Sequence, residues 1–578
     1  MRARQHAPFS YSVALVTAVA AIAGCNPHVL QAVELDSTAV DENVLQLQVN
    51  KDVDVLFVVD NSGSMAQEQI TLSENFNAFI QVLEEDDVDA NYRIGVTTSD
   101  NSNAVCATSG VNDTTPEGGK LVLSSCTTRP EQFTWPKDVV QVEVYDEACT
   151  TLCPESIGNA ITVLPTKTAV DDEAKPRPWI QSIEGVSNLS IDGGDTAWTD
   201  MVQAFQCVGP QGVDGCGFES QLESQYKALA LAKVGSSEQY GFLRDQAILA
   251  VVHVTDEADC SANARVDQLV FSNSASDSPF WNATNATSSI CWNAGTKCEG
   301  GGNPYTSCTS QSYNFEGAEI GDDYDSGNPD AEQQVLYPVK RYLDQLTNIE
   351  NDKAILQGPE DAIVSIIGGV PEGYSTGMAD LVYQAATDTA TIGGTHQTFG
   401  IDYGCSSTVG GEVQNAVPPV RLREFAEAFY APIPDSDLTS NLFSICAGNY
   451  GPALEAVAEA IKDQIKPGCF ESCVEDVGTE DGLQVQCKVT QEVPLEGGGS
   501  QTDTIPNCSV TAAEDPANPI GVCYTEFTGA AMSPTCIAEG WNLEFSITRS
   551  ANFPVPGGTL VSANCQLSDR PAEDCPNL

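Results

Sequence analysis

The sequence predicts an α/β fold: an open, doubly wound and mostly parallel sheet with large disulfide-rich insertions, followed by a small C-terminal β domain. Three observations lead to this prediction. Between residues 51 and 466, short apolar runs alternate with amphipathic stretches, as buried strands alternate with helices in a parallel sheet. Stretches rich in cysteine and turn residues interrupt that alternation. After Pro467 the apolar residues repeat with a period of two, which indicates strands with one buried face.

The first predicted strand and the first predicted helix are adjacent in the sequence. Residues 53–59 form a nearly continuous apolar run, which predicts a strand buried on both faces, and Asp60 ends it. After Met65, apolar residues recur at helical spacing and define one helix face: Leu72, Phe76, Phe79, Ile80 and Leu83. The chain therefore passes from a buried strand to an amphipathic helix across residues 60–65.

The same alternation predicts the rest of the block from 51 to 466. Further strands are expected at 92–98, 247–254, 362–367 and 442–446, and further helices at 222–232 and 454–465. A domain of this type needs roughly 200 residues, so about half of the block must be insertions. We place these at 101–190, 260–335 and 370–440, where disulfides would order the turn-rich sequence.

Residues 467–578 are predicted to form a separate, cysteine-rich β domain. Alternating apolar residues mark strands near 483–489 and 541–547. A core of this size is marginal without cross-links. Disulfides are therefore expected among its eight cysteines: Cys469, Cys473, Cys487, Cys508, Cys523, Cys536, Cys565 and Cys575.

The N-terminus predicts export and lipid attachment. Arg2 and Arg4 precede an apolar run of roughly 12 residues, shorter than the ~20 that a membrane-spanning helix needs. Residues 22–25 read Ile-Ala-Gly-Cys and resemble a bacterial lipobox. The resemblance implies a signal peptide at 1–24, lipid on Cys25, a tether at 25–50, and a lipid-anchored protein of the cell envelope, with the outer membrane expected and its face undecided. Simple secretion with an unmodified Cys25 is the alternative.

The cysteine count agrees with lipidation. The chain has 21 cysteines, and an odd number in an exported protein leaves one thiol to explain. Lipidation of Cys25 leaves twenty, which can form ten disulfides in an oxidising compartment. Zinc binding is the alternative, but the closest pairs, Cys149 with Cys153 and Cys469 with Cys473, are spaced C-x3-C, whereas structural zinc sites usually have C-x2-C pairs.

The chain is strongly acidic. It has 81 Asp and Glu against 25 Lys and Arg, a formal net charge of −56, and removal of Arg2 and Arg4 with the signal peptide lowers this to −58. Binding to nucleic-acid phosphates needs clustered basic residues, which the sequence lacks. Nucleic acid is therefore excluded as a partner.

A short motif at residues 60–65, Asp-Asn-Ser-Gly-Ser-Met, carries the candidate chemistry. The triplet of Asp60, Ser62 and Ser64 is a weak signal alone, but it stands where a buried strand ends, and ligands bind at that edge of open α/β sheets. One carboxylate and two hydroxyls on a tight turn suit a small hard cation. Asp256 ends another buried strand and can support the same site. The structural alternatives are a helix cap for the motif and a strand-end loop residue for Asp256.

Two segments together resemble a von Willebrand factor type A (vWA) domain: residues 57–65, Phe-Val-Val-Asp-Asn-Ser-Gly-Ser-Met, and residues 252–257, Val-His-Val-Thr-Asp-Glu. The resemblance extends over the scattered strands and helices of residues 51–466. It implies a metal-ion-dependent adhesion site that holds Mg²⁺ or Mn²⁺, with Ca²⁺ as a further candidate. It also implies a non-enzymatic module that binds a protein ligand through an exposed carboxylate of that ligand.

The vWA pattern includes a threonine on a loop between these two segments, and two loops compete for its place. Residues 193–196, Gly-Gly-Asp-Thr, offer Thr196 in the usual glycine-rich setting. Residues 215–219, Gly-Cys-Gly-Phe-Glu, lie directly before the predicted helix and offer only Glu219. A glutamate there would neutralise part of the charge of the metal and weaken its attraction for an incoming carboxylate.

Two other functions remain open. An extracellular hydrolase needs a nucleophile with a base, or a catalytic metal cluster. The sequence has neither Gly-x-Ser-x-Gly nor His-Glu-x-x-His, His253 falls inside a buried strand, and His396 has no partner in its segment. A passive envelope protein would bind Ca²⁺ through acidic loops such as residues 322–325, although that loop lacks the later ligands of an EF-hand.

Overall fold

The structure is a computed structural model that describes residues 44–576 apart from short segments. Residues 1–43, which include the predicted signal peptide, Cys25 and most of the predicted tether, lie outside the described residues. The other segments not described are 48–50, 86–87, 89, 102–105, 107–115, 138–139, 192–196, 199, 267–269, 272–277, 282–285, 325–332, 358–361, 389–393, 410, 434–435, 466–467, 479–481, 495–499, 551–552, 554–558 and 577–578.

A seven-stranded, mostly parallel sheet forms the centre of the α/β block. Its strands in chain order are β1 (Asp52–Val59), β2 (Asn91–Thr98), β3 (Ile180–Ile183), β4 (Val186–Ser187), β5 (Ile248–Val254), β6 (Ile363–Gly368) and β7 (Leu442–Ser444). Their order across the sheet is β4-β3-β2-β1-β5-β6-β7. Strands β2, β1, β5, β6 and β7 are parallel. Strand β3 is antiparallel to β2, and β4 is antiparallel to β3.

Helices pack on both faces of this sheet, as the continuous apolar runs of β1 and β5 require. The six longer helices are α1 (Ala66–Leu83), α2 (Met201–Val208), α3 (Gln221–Leu231), α4 (Val339–Gln357), α5 (Val420–Glu427) and α6 (Gly451–Gln464). Helices α1, α2 and α6 share one apolar core with the sheet. Helices α3, α4 and α5 share a second core on the opposite face.

Aromatic rings fill the first of these cores. The ring of Phe57 on β1 lies 6.0 Å from those of Phe76 and Phe79 on α1, and 5.2 Å from that of Phe205 on α2, measured between centroids. The rings of Phe76 and Phe205 stack at 3.6 Å. All four side chains are fully buried. The apolar stripe predicted for the first helix is therefore the face that packs on the sheet.

The strands and helices predicted between 51 and 466 are confirmed to within a few residues, but the sheet strands β3 and β4 and the helices α2, α4 and α5 were not predicted, and α5 falls in the stretch 370–440 that was predicted to be an insertion. Strands β3 and β4 belong to the central sheet, although they fall in the stretch 101–190 that was predicted to be an insertion. Helix α4 was also missed. Its buried residues Val339, Tyr342, Leu346 and Ile349 have helical spacing, so the signal was present in the sequence.

The remaining elements of the α/β block are short and lie in the predicted insertions. Its antiparallel hairpins pair Thr134–Lys137 with Val140–Glu143, Thr162–Val163 with Leu189–Ser190, Thr166–Thr168 with Asp171–Lys175, Thr296–Glu299 with Ser307–Ser310, and Cys405–Val409 with Glu412–Ala416. Single helical turns occur at Cys126–Thr128, Pro130–Phe133, Asp146–Thr150, Glu155–Gly158, Ser289–Asn293 and Thr395–Thr398.

The C-terminal region contains two antiparallel sheets around their own apolar core. One has the order Val44–Leu47, Leu560–Cys565, Cys487–Pro494, Ser500–Thr504, and the other has the order Gly468–Cys469, Glu544–Arg549, Val522–Phe527. Short helices occupy Gly529–Ala531, Pro534–Ala538 and Pro571–Asp574. Val44–Leu47 falls in the predicted tether, so that prediction is wrong for these four residues: their backbone pairs with Leu560–Cys565.

Ten disulfides join all twenty cysteines of the described residues. Six lie in the α/β block: Cys106–Cys216, Cys126–Cys149, Cys153–Cys207, Cys260–Cys291, Cys298–Cys308 and Cys405–Cys446. The eight C-terminal cysteines pair among themselves: Cys469–Cys536, Cys473–Cys575, Cys487–Cys565 and Cys508–Cys523. The disulfide prediction is confirmed and the zinc alternative is wrong, because these sulfurs are bonded to one another. In the part of the chain that the structure describes, no helix has both the length and the apolarity to cross a membrane.

The aromatic core leads to a test of stability. We expect Phe76→Ala to lower the free energy of unfolding by about 3–5 kcal/mol, because it removes a buried ring and leaves a cavity. Guanidinium denaturation followed by circular dichroism measures the change. Phe315→Ala is the control, since that ring is 39% exposed, and a similar loss in both variants would contradict the assignment of the core.

Candidate functional site

Asp60 directly follows β1 and is held at the carboxyl edge of the sheet. Its backbone N–H donates to the carbonyl of Val254, the last residue of β5, at 2.9 Å. Its carboxylate accepts three hydrogen bonds: from the Ser62 N–H at 2.9 Å, from the Thr255 hydroxyl at 2.6 Å and from the Ser99 hydroxyl at 3.4 Å. Three neighbouring strand ends, those of β1, β2 and β5, thus converge on one carboxylate.

The two motif serines lie beside this carboxylate. The hydroxyl oxygens of Ser62 and Ser64 are 3.2 Å apart. Ser62 is buried, whereas Ser64 is exposed. The Ser64 hydroxyl also donates to the carboxylate of Asp256, which follows β5 by two residues. The turn after β1 therefore connects the predicted residues Asp60, Ser62, Ser64 and Asp256 into one continuous cluster.

The loop 215–219 forms another side of the cluster. The Gly215 N–H donates to the Asn61 carbonyl at 2.8 Å, and the Ser220 N–H donates to the Ser99 carbonyl at 2.9 Å. At the same place, the carbonyl of Glu219 accepts the N–H of Cys260 at 2.7 Å. Glu219 is therefore placed against the Asp60 turn. The competing candidate, Thr196, lies outside the described residues.

Three carboxylate oxygens in this cluster are buried without a hydrogen-bond partner: Oε2 of Glu68, Oε2 of Glu219 and Oδ1 of Asp256. Glu68 lies in the first turn of α1. The exposed fractions of these side chains are 3%, 2% and 6%, and that of Asp60 is 0%. Buried polar atoms are normally satisfied, so three unsatisfied oxygens at one edge require an explanation.

Burial is the main cause of the electrostatic properties of this cluster, and the mutual repulsion of its charges adds to it. Burial raises the pKa of Asp60, and it raises the pKa of Glu68 to about 7, with a further contribution from the charge of Asp60. Burial and then the Asp60 charge raise the pKa of Glu219 and of Asp256 well above the usual range. Glu257 shows the same direction, because it is desolvated and lies near Asp256 and Asp60. The surroundings of these carboxylates therefore disfavour their ionised forms in the absence of a positive charge.

Three buried carboxylates elsewhere in the block are neutralised by arginine. Ion pairs join Asp54 to Arg244 at 2.8 Å, Glu223 to Arg341 at 3.1 Å and Asp259 to Arg421 at 2.9 Å. Among the described residues, no ion pair with a basic side chain includes the carboxylates of the cluster, namely Asp60, Glu68, Glu219 and Asp256. The site thus differs from these three buried acidic positions in having no cationic side chain.

The residues present fit a hard cation, with one restriction. Carboxylate and hydroxyl oxygens are the ligands that Mg²⁺, Mn²⁺ and Ca²⁺ prefer, and unsatisfied buried oxygens are available. Within the described parts of the chain, however, no group of three or more Asp, Glu, His or Cys side chains is arranged to hold a metal ion. A cation here would therefore depend on serine hydroxyls and water for part of its ligands.

Comparisons with known proteins found only weak similarity. The chain is similar to the pilus adhesin SpaC from Lactobacillus rhamnosus GG in an open conformation, with 9% identity, a TM-score of 0.25 and coverage of 90% of this chain and 39% of that chain. A second structure of SpaC has 10% identity and a TM-score of 0.23, with coverage of 90% of this chain and 40% of that chain. The pilus adhesin RrgA from Streptococcus pneumoniae has 12% identity and a TM-score of 0.23, with coverage of 91% of this chain and 58% of that chain.

These similarities assign neither a fold nor a role. The TM-scores are low, and the chain spans between 39% and 58% of the length of these adhesins. No protein-family model matches the sequence. No curated protein matches it either.

The two histidines considered for a hydrolase lie apart from the cluster. His253 on β5 is fully buried, its Nε2 is 2.8 Å from Oε1 of Gln225, and burial lowers its pKa to about 3. The prediction that it is a core residue is confirmed. His396 is exposed, and its backbone N–H donates to Asp388 at 2.9 Å. Of the acidic loop at 322–325, residue 325 lies outside the described residues, and Asp322 accepts the Ser312 hydroxyl at 2.7 Å.

Three residues of the cluster were not predicted from the sequence: Ser99, Thr255 and Glu68. Ser99 directly follows β2 and Thr255 directly follows β5, as Asp60 directly follows β1. That shared position is a signal that the sequence contained. Glu68 carried no comparable signal, because an acidic residue in the first turn of a helix is common.

The buried charge of Glu68 leads to a prediction about pH. Its pKa is raised from the usual 4.5 to about 7, so the folded chain binds this proton more tightly than the unfolded chain. The resulting stability is complete below about pH 4.5 and is lost as the pH rises through 7. In the presence of EDTA at pH 8, we expect Glu68→Gln to raise the free energy of unfolding by about 3 kcal/mol and to flatten its dependence on pH.

Denaturation of Glu68→Gln and of the unchanged chain at pH 5, 6, 7 and 8 measures how the free energy of unfolding depends on pH. Glu74→Gln is the matched control, because Glu74 is exposed on the same helix. Equal stability of Glu68→Gln and the unchanged chain at pH 8 would contradict the assignment.

Proposed function

We propose that this chain binds a divalent cation at the carboxyl edge of its central sheet and uses it to capture a carboxylate of a partner protein, as the vWA resemblance implies. One observation supports the proposal above the others: four carboxylates are buried together without a basic side chain, while three other buried carboxylates of the block each pair with arginine. A divalent cation would supply the missing positive charge. The proposal includes the doubly wound vWA arrangement of the block.

The residues have distinct roles in this proposal. Asp60, Ser62 and Ser64 would hold the cation, Mg²⁺ or Mn²⁺ with Ca²⁺ as the further candidate, and Asp256 would support it from the end of β5. Glu219 takes the place of the loop threonine in the vWA pattern, with Thr196 as the competing candidate. When bound, the cation supplies positive charge to an incoming anionic oxygen. Ser64 is the exposed member of the set, so the partner carboxylate would approach from its side.

Lipid anchoring and location are part of the same proposal. Residues 22–25 read Ile-Ala-Gly-Cys, and lipid on Cys25 would attach the protein to a membrane of the cell envelope. The module would be an adhesion-type binding protein and not an enzyme. The passive Ca²⁺-binding alternative differs in one respect that can be measured, because it predicts a change of stability with Ca²⁺ but no capture of carboxylates.

Calorimetry tests the cation site. We expect Mg²⁺, Mn²⁺ or Ca²⁺ to bind the chain from residue 26 at one saturable site, over a background of diffuse binding by the acidic surface. Asp60→Ala should abolish the saturable site and leave the background, because it removes the carboxylate that three strand ends position. The exposed-residue variant Glu74→Gln should retain the site. Identical isotherms for Asp60→Ala and the unchanged chain would refute the cation site.

Salt dependence tests the capture of carboxylates. With the divalent cation saturating, we expect the chain to be retained on a carboxylate-coated sensor surface, and retention should strengthen from 0.01 to 0.15 M salt. Over that range the Debye length falls from ~30 to ~8 Å, which screens the repulsion of an acidic surface by the chain from residue 26, whose formal charge is −58 without Arg2 and Arg4. Asp60→Ala should not be retained. Retention that weakens steadily with salt would contradict capture through the metal.

A further inference from the structure

Glu219 is the buried acidic side chain that the sequence offers in place of the loop threonine of the vWA pattern. Its side chain is 2% exposed and its Oε2 has no hydrogen-bond partner. It lies near Asp60, Asp256 and Glu257, whose charges act on it. A buried carboxylate with a free oxygen beside other carboxylates is placed to act on whatever cation the cluster holds.

The loop that carries Glu219 is fixed on three sides. Backbone hydrogen bonds join its residues to the Asp60 turn, to the end of β2 and to the segment after β5. The Cys216 N–H also donates to the carboxylate of Asp100 at 3.1 Å. The disulfide Cys106–Cys216 cross-links the loop itself, and Cys260, which donates to the Glu219 carbonyl, is cross-linked to Cys291. These contacts hold the backbone that carries the Glu219 side chain beside the Asp60 turn.

We propose that Glu219 sets the strength of partner capture: its buried carboxylate strengthens cation binding and weakens the attraction of the bound cation for the carboxylate of a partner. This inference rests on the proposed cation site and specifies a residue that tunes it. A negative charge near a cation stabilises that cation, but it also repels a second anion, and both effects are large where water is excluded. A neutral residue at this position would weaken cation binding and strengthen the attraction of the bound cation for a partner carboxylate.

The two effects have opposite signs, which makes the inference testable. We expect Glu219→Gln, which keeps the shape and removes the charge, to lower the affinity for Ca²⁺ and Mg²⁺ in calorimetry by about tenfold or more. With the cation saturating, the same variant should bind the carboxylate-coated surface more tightly, by a similar factor. Glu219→Thr should change both affinities in the same directions. Glu455→Gln, an exposed residue on α6, is the control for net charge and should change neither.

Thermal unfolding in EDTA shows whether each variant is folded. If Glu219→Gln does not fold, Glu219→Asp replaces it, because this variant keeps the charge but withdraws it from the site. It should lower the cation affinity and raise the carboxylate affinity, each by a smaller factor than Glu219→Gln. If an Asp60-dependent cation site is present but the Glu219 variants lower both affinities, or change neither, the role proposed for Glu219 is wrong and the proposed cation site stands. The absence of any Asp60-dependent cation site would overturn this inference together with the proposed function.

Discussion

Strands β1 and β5 are parallel neighbours buried on both faces, and the candidate site depends on this arrangement. Because they run in the same direction, their last residues meet at one edge, and the Asp60 N–H continues the ladder by donating to Val254. The side chains that follow these strands are enclosed by the helices and loops that cover the sheet. Asp60 and Asp256 are thus desolvated by the same packing that stabilises the apolar core.

Desolvation without neutralisation distinguishes this edge from three other buried carboxylates of the block. A buried carboxylate is costly unless it is paired or fully hydrogen-bonded. The fold meets this cost with arginine at Asp54, Glu223 and Asp259. It uses hydroxyl and backbone donors at Asp60. Hydroxyl and backbone donors leave some oxygens of the neighbouring acids without a hydrogen bond, and such oxygens are suitable ligands for a hard cation.

Disulfides order the loop that encloses one side of this site. The loop 215–219 lies between α2 and α3, and the disulfide Cys106–Cys216 cross-links it to the predicted insertion 101–190 across 110 residues of sequence. Closing so long a loop removes much of the conformational entropy of the unfolded chain. The C-terminal region uses the same device, with its eight cysteines paired within it. Cross-linking therefore adds to the small apolar cores of these segments.

The sequence alone determined the elements whose signals are local. Continuous apolar runs identified β1, β2, β5, β6 and β7, helical spacing identified α1, α3 and α6, and the cysteine count indicated ten disulfides. The motif of Asp60, Ser62 and Ser64 and the strand-end residue Asp256 were also visible, because each stands at the end of a run. Only the tertiary structure placed Thr255, Ser99, Glu68 and Glu219 around Asp60 and paired Val44–Leu47 with Leu560–Cys565. These relationships depend on contacts between distant segments, and neither periodicity nor spacing along the chain encodes which distant segments will meet.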